Sequence, residues 1–369
     1  MTRHYFAGAN TPHGFFGYYD DILPAVGTNK KIYIKGGSGT GKSTLMKKTA
    51  GIFAKKDYNI EYFHCTNDAE SIDGINVVGA GIAVVDGTNP HPADPKLPCA
   101  TDEIFNASDY LDKAYISENK TQLTELLSEK KGYYDRAYGY LNAAYEVYQL
   151  NEQLYRNALN WSALNVKTLE ILKLFDETEP VSRTAWNRRL FTAAITPDGV
   201  KSLADSSLKA GRTYILNGIG AMGIFEMLDT VQRNANLMGL DTISFKSPLA
   251  PDKTGHLYIR ELDTAFISAN RYHEYEAVNA EQINFTELLN RDILVKHQGE
   301  IDYNSEIFDE LLKRAIVTMA ASKSFHSQIE GIYSEGMDFK RMHRAYDAVL
   351  EWLLEEPATQ TPTLPYSSA

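Results

Sequence analysis

The feature that most constrains this fold is that the chain nearly repeats itself. The opening HYFAGANTPHGFFGYYDDIL returns as RLFTAAITPDGVKSLADSSL, with Phe6, Thr11, Pro12 and Gly14 matched by Phe191, Thr196, Pro197 and Gly199 at an offset of 185. The offset then becomes 182, pairing Gly36 with Gly218, Gly41 with Gly223, Phe63 with Phe245, Ala83 with Ala265 and His91 with His273. It settles at 178, pairing Glu103 with Glu281, Asn106 with Asn284, Arg136 with Arg314, Glu152 with Glu330 and Tyr155 with Tyr333. Collinearity this long identifies a tandem duplication, so whatever fold one half takes the other takes too. The expected domains are residues 1–180 and 186–357, joined by the polar segment DETEPVSRT. The tail 358–369 is poor in core-forming residues and is expected to be disordered.

The first half holds the strongest local signal. Residues 31–55 read KIYIKGGSGTGKSTLMKKTAGIFAK, a short apolar strand, a glycine loop and a helix. Gly36, Gly41, Lys42 and Ser43 complete G-x-x-x-x-G-K-[ST], the phosphate-loop motif, in the strand–loop–helix context that the motif needs. Glycines let backbone N–H groups turn inward around phosphate oxygens. The expected nucleotide-binding residues are Gly36, Gly37, Ser38, Gly39, Thr40, Gly41, Lys42, Ser43 and Thr44. Lys42 would reach the β- and γ-phosphates, and the Ser43 hydroxyl would hold Mg²⁺. The segment GIAVVDGTNPH reads as a buried strand ending in an acid, Asp86, which would share the metal with Ser43. The alternative for Asp86 is a turn aspartate before Gly87.

Strands at residues 31–35, 60–65, 75–78 and 81–86, with helices between, imply a parallel sheet. From about 108 to 178 the apolar spacing becomes helical, as it does over 284–356 in the second half, with a break expected at Gly132. The fold class expected is α/β: two tandem parallel-sheet domains of the P-loop NTPase type, each with a helical hairpin or bundle extension. The many tyrosines between Tyr133 and Tyr155 read as helix-packing residues.

The duplicate serves as an internal control. The second half has GIGAMGIFEML where the first has GGSGTGKSTLM, so Ile224 stands for Lys42 and Phe225 for Ser43, while Ser268 stands for Asp86. The ammonium, the metal hydroxyl and the metal acid are lost together, which marks the second site as degenerate. Asp68 and Asp73, just past the second strand, are matched by Ala250 and Gly255. They are candidates for a general base, or solvated helix-capping acids. His91 has a counterpart in the dead half and leans towards structure. His64 and Cys65 lack a second pair at ligand spacing. Arg183, Arg188 and Arg189 are candidate arginine fingers or solvated linker charge.

Composition excludes several classes. A net charge of −11 over 369 residues disfavours nucleic acid held by bulk electrostatics. The only cysteines, Cys65 and Cys99, give no disulfide framework and suit a reducing cytosol. No apolar run approaches membrane-spanning length, and MTRHYFAGAN lacks a signal-peptide core, so a cytoplasmic protein is expected.

The opening F-x-x-x-x-T-P-x-G of each half, the GGSGTGKST loop, the FHC strand end and the VVDGTNPH segment together resemble an uncharacterised bacterial family of tandem P-loop NTPases. Its members are ATP-binding proteins or ATPases without an established substrate. The resemblance covers nearly the whole chain and implies ATP and Mg²⁺ as cofactors. Both halves usually carry an intact loop in that family, and Ile224 and Phe225 depart from this. No LSGGQ-like or NKxD stretch occurs, and Gly87 follows Asp86 where many strong ATP hydrolases place a glutamate. Three expectations follow: an ATPase or hydrolysis-driven switch with Lys42, Asp86, Asp68 and Asp73 as its catalytic residues; a small-molecule or nucleotide kinase, with Arg136 or Arg156 gripping phosphates; or a non-catalytic nucleotide sensor whose helical arms bind a protein partner.

Overall fold

The computed structural model describes residues 2–23, 29–68, 70–89, 94–219, 222–270, 275 and 280–355. His91, His273 and the tail 358–369 lie outside them. The first copy contains β1 (Arg3–Phe6), β2 (Gly8–Thr11), β3 (Gly14–Gly17), β4 (Lys30–Lys35), α1 (Lys42–Ala54), β5 (Ile60–His64), β6 (Ile72–Val77), β7 (Ile82–Asp86), β8 (Asp102–Asn106), α2 (Lys113–Glu118), α3 (Lys120–Ala158) and α4 (Trp161–Leu172). The second contains β9 (Asn187–Leu190), β10 (Ala193–Thr196), β11 (Gly199–Ser202), the single turn α5 (Ala204–Ser207), β12 (Arg212–Asn217), α6 (Ile224–Leu237), β13 (Thr242–Lys246), β14 (Thr254–Ile259), β15 (Thr264–Ala269), β16 (Glu281–Asn284), α7 (Arg291–Ala320), α8 (Lys323–Glu335) and α9 (Phe339–Leu354).

The duplication is visible in the topology. One six-stranded sheet has the order β1-β5-β6-β7-β4-β8 and the other β9-β13-β14-β15-β12-β16, the same order copy for copy. Small features repeat as well. Thr11 Oγ donates to Gly14 O at 2.7 Å and Thr196 Oγ to Gly199 O at 2.8 Å. Asn106 and Asn284 each accept the amide two residues on, starting matched 3₁₀ turns.

The sheets are mixed rather than parallel, which corrects the sequence expectation. β6 runs antiparallel to both β5 and β7, and β14 to both β13 and β15. The reason is connection length: β5, β6 and β7 follow one another with no helix between them, and short links return the chain antiparallel. The remaining pairs, β4 with β7 and β8 and β1 with β5, are parallel.

The compact units also cut across the two sequence halves. One unit comprises Met1–Gly8, Gly17–Arg136 and the chain from Val317 on; the other comprises Ala9–Phe16 and Ala137–Ile316. Each copy thus lends its last helices to the other copy's sheet. In the first unit, Leu45, Met46, Ala50 and Phe53 of α1 pack with Ile32, Ile34 and Val84 of the sheet and with Met342, Tyr346, Leu350 and Leu353 of α9. The α9 residues recur every three or four positions, one helical stripe. In the second unit, Leu164 and Ile171 of α4 pack with Ile224, Leu228 and Val231 of α6. Hydrophobic burial does not register which copy supplies the apolar stripe, and the long helices α3 and α7 carry the chain across from one unit to the other. Gly132 does not break α3, which runs unbroken through it.

Candidate functional site

β4 and β7 are neighbouring parallel strands with Ile34 opposite Asp86, so the glycine loop after one and the acid ending the other emerge side by side. Gly41 has φ of 83° and caps α1 in the left-handed region, a turn that favours glycine. The N-cap residue, Gly41, has no side chain with which to cap α1, and the first-turn N–H groups face the loop. Gly39 is also left-handed, and a Cβ there would sit 2.4 Å from the carbonyl oxygen of Glu330 in α8, so no other residue fits.

Lys42 lies across the loop. Its Nζ donates to Gly36 O at 2.8 Å and Gly37 O at 2.7 Å and stands 3.5 Å from Asp86 Oδ2. Thr40 Oγ donates to Gly37 O, tightening the same turn. Asp86 Oδ1 accepts the Thr88 amide at 2.8 Å, and the Thr88 hydroxyl donates to Gly36 O at 2.9 Å, tying loop and strand end together. Ser43 Oγ accepts the Ile72 amide at 3.1 Å, which leaves a lone pair for a cation.

These groups border a cleft of about 390 Å³. Ser38, Gly39, Thr40, Gly41, Lys42, Ser43 and Thr44 line it, with Asp68, Asp73, Asp86 and Thr88. Gly36 and Gly37 are not among its lining residues, and their carbonyls accept from Lys42. Asp73 is buried at the start of β6, and its Oδ2 accepts the Tyr19 hydroxyl at 3.0 Å. Asp68 accepts Ser71 Oγ at 2.7 Å and the Glu70 amide at 3.1 Å, closing the turn before β6 rather than capping a helix, and it stays on the cleft wall. The donor set suits a small hard cation: a serine hydroxyl beside one carboxylate, completed by phosphate oxygens and water, is how Mg²⁺ is commonly bound. Among the described residues no three of His, Cys, Asp and Glu gather as a metal-holding group, and His64 meets His4 at 2.8 Å.

Sequence reasoning missed a second group on the same wall. Lys130 of α3 and His326 and Glu330 of α8 line the cleft. Lys130 Nζ is 2.9 Å from His326 Nδ1, and His326 Nε2 is 3.4 Å from Glu330 Oε1. The two helices meet along Leu123 and Leu126 against Ile329 and Ile332. Lys130 lies one turn past Leu126, and His326 one turn before Ile329, so the seam that joins the helices also aims the pair. Burial, with the Lys130 and Lys42 charges, pushes the His326 imidazole down to about 4, and burial lowers the Lys130 ammonium. Burial likewise raises the Glu330 carboxyl.

The corresponding cleft of the second unit is a different surface. Ile224 is fully buried, and Phe225, Ser268 and Leu249 border an apolar cavity of about 140 Å³. Gly218 and Gly223 keep positive φ. Ser268 has turned to a neighbour: its amide donates to His256 Nδ1 at 3.0 Å.

The arginines suggested by sequence, Arg189 included, do not line the first unit's cleft. Arg183 pairs with Glu261 and Asp241, and Arg188 is buried on β9. Arg156 pairs with Glu226, and Arg136 lies over the Tyr133 ring. None of the helices among the described residues is long and apolar enough to cross a membrane. Comparison of the chain with protein-family models, curated proteins and solved structures finds no match.

Proposed function

We propose that the first unit binds Mg·ATP at the Gly36–Thr44 loop and hydrolyses it, the protein acting as an ATP-driven switch with one working and one degenerate site. The observation that carries this reading is the convergence of Lys42, Ser43 and Asp86 at a helix start whose cap residue is glycine, in a cleft of about 390 Å³. A triphosphate brings negative charge into a cleft already holding Asp68, Asp73 and Asp86, so the divalent ion is needed to offset it. In this reading Ser43 and Asp86 hold Mg²⁺, Lys42 binds the phosphates, and Asp68 or Asp73 orients the attacking water.

The test is phosphate release by the purified chain with Mg·ATP, with Lys42→Ala as control. Turnover that Lys42→Ala abolishes is the expected result. Turnover only after a metabolite pool is added would assign a phosphotransferase instead. Tight binding without turnover would assign a nucleotide sensor whose helices carry the signal to a protein partner. Normal ATP binding by Lys42→Ala would remove the basis of all three.

A further inference from the structure

We infer that Lys130 binds the terminal phosphate of the nucleotide and that His326 positions it to do so, making this pair the part of the site that tells a triphosphate from a diphosphate. This rests on the nucleotide reading above and goes beyond it by assigning two residues outside the loop motif.

The first support is geometric. Lys130 and His326 share the cleft with Lys42, Ser43 and Asp86, but they come from α3 and α8 rather than from the loop. Facing an ammonium at 2.9 Å, His326 Nδ1 must present its lone pair, which places the ring proton on Nε2 towards Glu330. The chain Glu330–His326–Lys130 therefore orients the ammonium through a neutral ring. Lys130 keeps further N–H donors, and its hydrogen-bond partner among the described residues is an imidazole, not a carboxylate. Its charge is not cancelled by direct contact with an acid, and an incoming anion would meet a cation already aimed. The depressed imidazole agrees, since a neutral His326 accepts from Lys130 instead of repelling it.

The second support is independent and comes from the duplication. At the offset of 178 that pairs Glu103 with Glu281, Lys130 corresponds to Phe308, and Tyr148 corresponds to His326. Phe308 and Tyr148 line the equivalent cavity of the second unit, where their ring centroids are 6.1 Å apart. The hydrogen-bonded polar pair of one unit is thus an aromatic pair in the other. Lys42, Ser43, Asp86, Lys130 and His326 have all been replaced, by Ile224, Phe225, Ser268, Phe308 and Tyr148, so neither the two ammonium groups nor the carboxylate has a charged counterpart. Asn106 and Asn284, which start matched turns, have been kept, as has Glu330 in its counterpart Glu152, so the loss singles out Lys130 and His326. Side chains lost together with the phosphate machinery are assigned to that machinery.

The experiment titrates the full-length chain with Mg²⁺ and either adenylyl imidodiphosphate or ADP, following heat. Wild type is expected to bind the triphosphate analogue at least tenfold more tightly than ADP. Lys130→Met should remove that preference while leaving ADP affinity within twofold, and Lys130→Arg should restore part of it. His326→Leu should behave like Lys130→Met, whereas His326→Gln, which keeps an acceptor for the ammonium, should retain most of the preference. A merely structural role would lower both affinities together, and the Arg and Gln variants would not rescue the preference. The assignment is overturned if wild type binds both nucleotides equally, or if Lys130→Met weakens both alike or neither. Absence of any nucleotide binding by wild type would overturn the underlying reading as well.

Discussion

Lys42 has three N–H donors, two of which meet the carbonyls of Gly36 and Gly37. Charge-assisted hydrogen bonds contribute about 1.5–3 kcal/mol each, so Lys42→Ala should weaken Mg·ATP binding by roughly 10- to 150-fold, measurable by calorimetry. Chelating Mg²⁺ should lower ATP affinity in wild type and have far less effect in Ser43→Ala with Asp86→Asn, where the metal ligands are already gone. The degenerate copy makes the opposite point. Ile224 is wholly inside the apolar cluster of its unit. Ile224→Lys does not restore a site but buries an unpaired charge, expected to cost about 3–5 kcal/mol. For a unit of this size the melting midpoint should fall on the order of 10 °C. An unchanged midpoint would mean that the lysine finds water or a partner that the buried position of Ile224 does not offer.

Helices carry the next level of the argument. α9 closes the first unit by laying Met342, Tyr346, Leu350 and Leu353 on the core beneath α1. The Tyr346 hydroxyl is 2.9 Å from Thr49 Oγ. Tyr346→Ala should destabilise by about 3–5 kcal/mol, the usual range for deleting a large buried aromatic, and Tyr346→Phe by about 1 kcal/mol for the hydrogen bond alone. Chemical denaturation of the two variants separates packing from polarity. The seam of α3 and α8 links this architecture to the site, since Leu126 and Ile329 each lie within one turn of a cleft residue. The loop, its helix and the acid ending β7 were legible in sequence because each is a local pattern: glycine spacing, an alternating strand, an apolar run with a terminal aspartate. Lys130 and His326 were not, because a lysine and a histidine on helical segments carry no motif. The comparison with Phe308 and Tyr148 was available in the sequence and would have flagged them.

For the whole molecule, the exchange of helices between copies predicts that residues 1–180 alone will not fold. That fragment would lack α9 and expose the apolar face that α9 covers. Near-ultraviolet circular dichroism should show no fixed aromatic environment until residues 181–369 are added in trans. A cooperatively folded 1–180 fragment would contradict the exchange. Mg·ATP at about 100 times its dissociation constant should stabilise the binding unit by about 2.7 kcal/mol. Hydrogen exchange should show the protection on α1 and α8 and not on β12 or α6. The amino-acid sequence by itself determined the duplication, the glycine loop at Gly36–Ser43 and the loss of its lysine and serine in the second copy, because these are written in residues close along the chain or at a constant offset. Tertiary structure alone decided that β6 and β14 reverse the sheets, that each copy's last helices complete the other's core, and that Lys130 and His326 stand beside Lys42. The reversals follow from short links between consecutive strands, while the other two outcomes depend on packing between segments far apart in the chain, and an apolar stripe specifies what kind of surface it needs without specifying which copy provides it.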